Sequence, residues 1–147
     1  MKVCDLIDEM AFSHRPVDGI SVGVAVIAGV AYMAVGFVRD GDCFNRKLAR
    51  HILAQRIIST VTDNKNVKLV HVIEQVPEHV DARGVVRMLR VAFKPDPTCN
   101  DATFMHSNQF LGNMTVRSPM SRDEQWRLIV QMFESAVALT PDTRSKA

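Results

Sequence analysis

The chain has few of the residues that staple or ligate. Cys4, Cys43 and Cys99 are its three cysteines, far apart and without a C-x-x-C pair, which excludes a disulfide framework and offers no zinc spacing. His14, His51, His71, His79 and His106 show no H-x-x-x-H or similar arrangement, and a lone histidine makes a weak metal site. No metal and no cofactor are expected. There is no G-x-S-x-G, no Walker loop, no G-x-G-x-x-G and no H-E-x-x-H. Glu74, Glu78 and Asp81 are close in sequence but fall on a strand end and its loop, where nothing holds two carboxylates as an acid/base pair. Cys43 at a helix start is a candidate for a lowered thiol pKa, yet no histidine or asparagine partner can be placed beside it. No catalytic residue is assigned. No secretory leader is expected either, because the N-terminal MKVCDLIDEM is acidic and lacks an apolar stretch next to basic residues. A reducing, cytoplasmic setting is the expectation.

At 147 residues the chain is long enough to bury a core without disulfides or metal. Its net charge of +2 and pI near 8.6 are too mild to imply nucleic acid by themselves. Local patterning says more. No charged residue occurs from Ile20 to Val38, and Arg39, Arg46, Lys47, Arg50 and Arg56 follow at once. An uncharged run of that length fits either a membrane span of about 20 residues or two buried strands joined by a turn. Ile20, Val22, Val24 and Val26 alternate with Ser21, Gly23 and Ala25, a period of two with one branched face and one nearly bare face. Ala28-Gly29 supplies a turn, and Val30 to Val38 alternates again. The pattern favours a hairpin. A single-pass membrane segment remains the alternative, since acidic residues precede the run and basic ones follow it.

Before this run, Val3, Leu6, Ile7, Met10 and Ala11 form the stripe of a short amphipathic helix that ends before Pro16, and Pro16 to Gly19 turn the chain into the hairpin. After it, Asp40-Gly41-Asp42 is a turn with Asp42 as N-cap of a helix from about Cys43 to Val61, burying Phe44, Leu48, Ile52, Leu53 and Ile57. Thr62 to Asn66 is a polar loop and Lys68 to Val76 a third strand, with His71 more readily a satisfied core histidine than a ligand. Asp81 to Lys94 is taken as a helix with Arg83, Arg87, Arg90 and Lys94 in one row and Val85, Val86, Met88, Leu89, Ala92 and Phe93 opposite. Pro95 to Asn113 is loop-rich. Ser121 to Glu124 is a capping box opening a helix to about Leu139, with Trp126, Ile129, Val130, Phe133 and Val137 on one face. Pro141 ends it.

The basic residues sit early on the first long helix. Arg46 and Lys47 lie where the helix dipole favours acids, a cost of a few tenths to about 1 kcal/mol each, which a negatively charged ligand would offset by meeting free amides and basic side chains together. Phe104, Asn108 and Phe110 are groups that stack on and read a base, or that plug a loop onto the core. The row Arg83 to Lys94 is a solvated helix face or a contact for an anionic partner.

From Val30 to Arg56 the chain resembles the first family of Thoeris anti-defence proteins of bacteriophages, nucleotide sponges that capture a host immune signal. The likeness lies in strand, short turn, strand, then Asp-x-Phe-Asn-Arg-Lys-x-x-Arg and a further arginine: here Asp42, Phe44, Asn45, Arg46, Lys47, Arg50 and Arg56. It covers about a quarter of the chain. It implies an α+β fold, assembly into dimers or higher oligomers, and non-enzymatic capture of a cyclic ADP-ribose-type or other cyclic nucleotide, in the host cytoplasm. On that footing Arg46, Lys47, Arg50 and Arg56 hold phosphates beside Phe44 and Asn45, while Phe93, Phe104 or Phe110 stacks on the base and Asn108 reads it.

The expectation is therefore one α+β domain over residues 1–140 with a disordered tail at 141–147. Its antiparallel sheet is built around the N-terminal hairpin and packed by two or three helices. Its partners are a cyclic nucleotide and a second copy of the chain, with no membrane. A nucleic-acid-binding or inhibitory module using the basic helix face is the competing function.

Overall fold

Strict alternation in the uncharged run becomes two paired strands. The computed structural model describes residues 2–16, 19–38, 43–63, 67–92, 105–111 and 114–141, with backbone alone for 92, 105–111 and 114–119. The elements are α1 (Val3–Glu9), β1 (Ala11–Arg15), β2 (Ile20–Ile27), β3 (Val30–Phe37), α2 (Arg46–Asp63), β4 (Val70–Ile73), α3 (Ala82–Ala92), β5 (Met105–Leu111), β6 (Met114–Pro119) and α4 (Arg122–Leu139). Strands β1 to β4 form one antiparallel sheet in chain order, and β5 and β6 form a separate two-stranded one. This is the expected α+β class, with four helices rather than two or three. Between Ile27 and Val30, which pair, Ala28 and Gly29 take φ of 51° and 76°. Both signs suit a two-residue hairpin turn whose twist matches its strands. Since residues 20 to 38 form this hairpin, they are not a membrane helix, and no helix among the described residues is long and apolar enough to cross a membrane.

The two faces of the sheet pack differently because the alternation gave them different side chains. Ile20, Val22, Val24, Met33 and Val35 project to one side, where Val85, Val86 and Leu89 of α3 and Ile129, Phe133 and Val137 of α4 complete a core. On the other side Ala25 and Ala34 meet Leu6 and Met10 of the α1 end and Leu53, Ala54 and Ile57 of α2. Gly23 shows why that face is bare. A Cβ there would stand 2.8 Å from Met10 Cε, closer than real Cβ atoms come, and 3.1 Å from the ring of Phe12, tighter than most.

Several boundaries depart from the sequence expectation for local reasons. Helix α1 stops at Glu9, because Met10 is extended and Ala11 already pairs with Val24, so the last positions of the predicted stripe begin an unforeseen strand, β1. Helix α2 begins at Arg46, and Asn45 Oδ1 accepts the Leu48 N–H at 3.1 Å as its cap. Asp40 to Asp42, with the predicted cap and turn, lie outside the described residues. Leu48, expected in the core, is 56% exposed, because the strands opposite it offer only Ser21 and Gly36 at that end. The third strand is shorter than Lys68 to Val76, bounded by left-handed backbone at Leu69 and Gln75. His71 is partly exposed, 3.2 Å from Glu134 through Nε2 and edge-on to Phe133, so it is a surface pair and not a core group. Residues 105 to 111, read as part of a loop, form β5. Polar Ser, Asn and Gln masked the alternation, while Leu111 pairs with Met114 across two intervening residues, the spacing of a tight hairpin.

Helix α4 matches its expected span, and α3 is helical from Ala82 to Ala92, the last two residues of its expected span lying outside the described residues. Asp81 Oδ1 caps α3 through the Gly84 N–H at 2.8 Å, and the Ser121/Glu124 box closes reciprocally on α4.

Candidate functional site

Strand β1 is the edge of the main sheet, and both basic elements of the chain reach it. Its register sets Phe12 opposite Gly23 and His14 opposite Ser21, so the two rings lie on the bare face with no bulk across from them. They stack with planes 8° apart and centroids 6.1 Å apart. Phe44, just before α2, meets the His14 ring edge-on at 5.7 Å. On α2, Arg46 and Arg50 are four residues apart and share a face. Arg50 Nε donates to His14 Nε2 at 3.2 Å, and its guanidinium lies 5.0 Å from the centre of the Phe12 ring. From the opposite side of the sheet, Arg90 of α3 donates to the Phe12 carbonyl at 2.9 Å, an acceptor that an edge strand leaves open.

Two adjoining concavities result. One of about 350 Å³ is lined by Phe12 to Arg15 with Arg46, Arg50 and Arg90. The other, about 500 Å³, adds Arg83 and Arg87 and shares Phe12, Arg50 and Arg90 with the first. Among the described residues Asp8 is the one carboxylate lining either. Arg46, Arg83 and Arg87 make no hydrogen bond or ion pair with the described residues. Like charges gathered this closely repel, and an anion between them would turn repulsion into charge-assisted hydrogen bonds.

The tautomer of His14 follows from its neighbours. A guanidinium can only donate, so Nε2 accepts from Arg50 and the proton sits on Nδ1, which donates to Ser21 Oγ at 2.9 Å. The ring is neutral, and its pKa is pushed down to about 4 by burial first and then by the charges of Arg50, Arg46 and Arg90.

Of the residues singled out from sequence, Arg46 and Arg50 meet in this cleft and Phe44 backs it through His14. Asn45 is occupied as the helix cap. Lys47 is exposed and lines neither concavity. Arg56 does not join them. It bonds the Val35 carbonyl between α2 and β3, half-buried, with its pKa lowered by that burial. Phe93, Phe104 and Lys94 lie outside the described residues, and Asn108 and Phe110 stand on β5, described by backbone alone. Phe12, His14 and Arg15 were missed. The signal available for them was the short alternation between Met10 and Pro16, with an aromatic that pairs across from a glycine.

Fold and cleft together define an α+β domain that carries an arginine-lined concavity on the edge of a four-stranded sheet. Comparison with protein-family models, curated proteins and solved structures finds no match to this chain.

Proposed function

We propose that the chain captures a phosphate-bearing small molecule in the β1 cleft and holds it without cleaving it. The particular ligand is a cyclic nucleotide signal, of the cyclic ADP-ribose type or a cyclic oligonucleotide, in keeping with the likeness of residues 30–56 to the anti-defence sponges. The observation that carries the proposal is Arg46, Arg50 and Arg90 around a neutral His14. Guanidinium forks suit phosphate oxygens, and a histidine kept neutral leaves the arginines to supply the charge. Self-association belongs to the same proposal. Val91 and Leu139, 60% and 64% exposed, rim an apolar groove between α3 and α4, the kind of surface that marks interfaces. A monomer by light scattering at micromolar concentration would remove that part.

Titration calorimetry with a panel of cyclic nucleotides tests the core of the reading. Arg50→Ala and Arg90→Ala are each expected to weaken the best ligand by at least about tenfold, the loss of one charge-assisted bond, and denaturation should release it unchanged. Unaltered affinity in both variants would place the site elsewhere. A second reading, polynucleotide binding, is favoured by one feature: Arg83 and Arg87 extend the cleft along α3. It predicts affinity that falls steeply and linearly in log–log form with salt, where a compact ligand gives a shallow slope.

A further inference from the structure

Beneath the first turns of α2 lies another cavity, of about 330 Å³. Its origin is a local mismatch. Further along, α2 presses Leu53, Ala54 and Ile57 onto Ala25 and Ala34. At this end the facing pair is Ser21 and Gly36, and the helix contributes Ala49, so nothing among the described residues fills the gap. The apolar walls are Phe37, Val38, Leu48 and Ile52; Ser21, Cys43 and Asn45 add polar groups, and the one charged group among the described lining residues is Arg56. Arg56 spends one N–H group on the Val35 carbonyl and has no carboxylate partner among the described residues. Burial disfavours its charge, and a cation withdrawn from water without a counter-charge is costly.

We infer that this cavity is a separate binding site for a compact monocarboxylate with an apolar body. The carboxylate meets the free edge of the Arg56 guanidinium as a bidentate pair, and the body lies between Phe37, Leu48 and Ile52. One guanidinium balances one negative charge. A phosphate dianion would bring excess charge against apolar walls and leave part of its hydration unreplaced. The volume sits at the lower end of ligand pockets, which suits a ring or a short branched chain. The inference stands apart from the β1 cleft, whose arginines do not line this cavity.

The test is a ¹⁵N NMR titration of the whole chain with benzoate and 3-methylbutanoate at millimolar concentration, each against its neutral amide. The acids should shift Gly36, Leu48 and Ala49 saturably and the amides at least about tenfold more weakly. Arg56→Met should abolish the acid preference. Ala49→Trp, which fills the cavity and leaves Arg56 and the buried stripe of α2 in place, should abolish binding. Arg50→Ala should leave both unchanged. Equal shifts by acid and amide, shifts that survive Ala49→Trp, or no saturable shift with either acid would overturn the site.

Discussion

The two faces of the sheet come from the same two strands and do opposite work. The face under α3 and α4 is made of Ile, Val and Met side chains and is filled to the point that Ile20, Val24, Met33 and Val35 expose no surface. The face under α1 and α2 carries Gly, Ala and Ser over much of its length, with Ile27 and Tyr32 toward the hairpin turn, and helices come close to the small residues only where they bring large side chains of their own. Where they do not, space remains: the Arg56 cavity lies there, and the His14 side of the β1 cleft opens on the same face. Bulk on one face holds the domain together, and its absence on the other leaves concavities open.

That contrast can be broken from either side. The largest expected effect is Phe133→Ala on the filled face. Phe133 is fully buried and touches the edge of His71, and truncation of such a residue costs about 3 to 5 kcal/mol, read as a lower midpoint in urea denaturation. Gly23→Ala attacks the bare face and should cost about 1 kcal/mol, the low end of overpacking, since the flexible end of Met10 can swing aside and the Phe12 ring must give by a few tenths of an ångström. The same mutation should disturb ligand affinity through Phe12 and His14, whereas Phe133→Ala should not while the protein is folded.

A third effect depends on pH. His14 has a folded pKa of about 4 against about 6.5 for a free imidazole, so between those values the unfolded chain binds the proton more readily. Stability is complete above about pH 6.5, declines as pH falls toward 4, and gains no further slope from this group below that. The size is on the order of 2 kcal/mol, less than the full shift implies because the ring is partly solvated. Comparing wild type with His14→Gln across pH 4 to 7 isolates it, and an identical slope in both would refute the neutral ring. The smallest effect is Arg46→Glu. An acid in place of a cation in the first turn of α2 should stabilise the protein by about 0.3 to 1 kcal/mol at low salt while weakening an anionic ligand, so that thermal midpoint and affinity move in opposite directions.

What could be read from sequence follows from range. The β2–β3 hairpin, α3 and α4 announced themselves because their signals are local: a period of two, an arginine row opposite an apolar stripe, a capping box. Strand β1 did not, because its alternation spans only five residues and Met10 and Ala11 also fitted the helix before them. The site was legible as two unrelated basic features, and their convergence was not, since it depends on β1 lying at the edge between α2 and α3. Arg56 was grouped with Arg50, yet six positions at about 100° each place it about 120° away around the helix, where it faces β3 instead of the cleft.

The order of the strands has a kinetic consequence. Because β1, β2 and β3 pair with their immediate neighbours in the chain, most of the sheet closes through short loops, and only β4 must wait for the α2 crossover to bring it alongside β3. Low sequence separation between contacts favours fast folding, so three quarters of this sheet can assemble as a meander before the crossover is made. The rate-limiting loss of chain entropy then falls on the step that docks β4 and covers the filled face with α3 and α4.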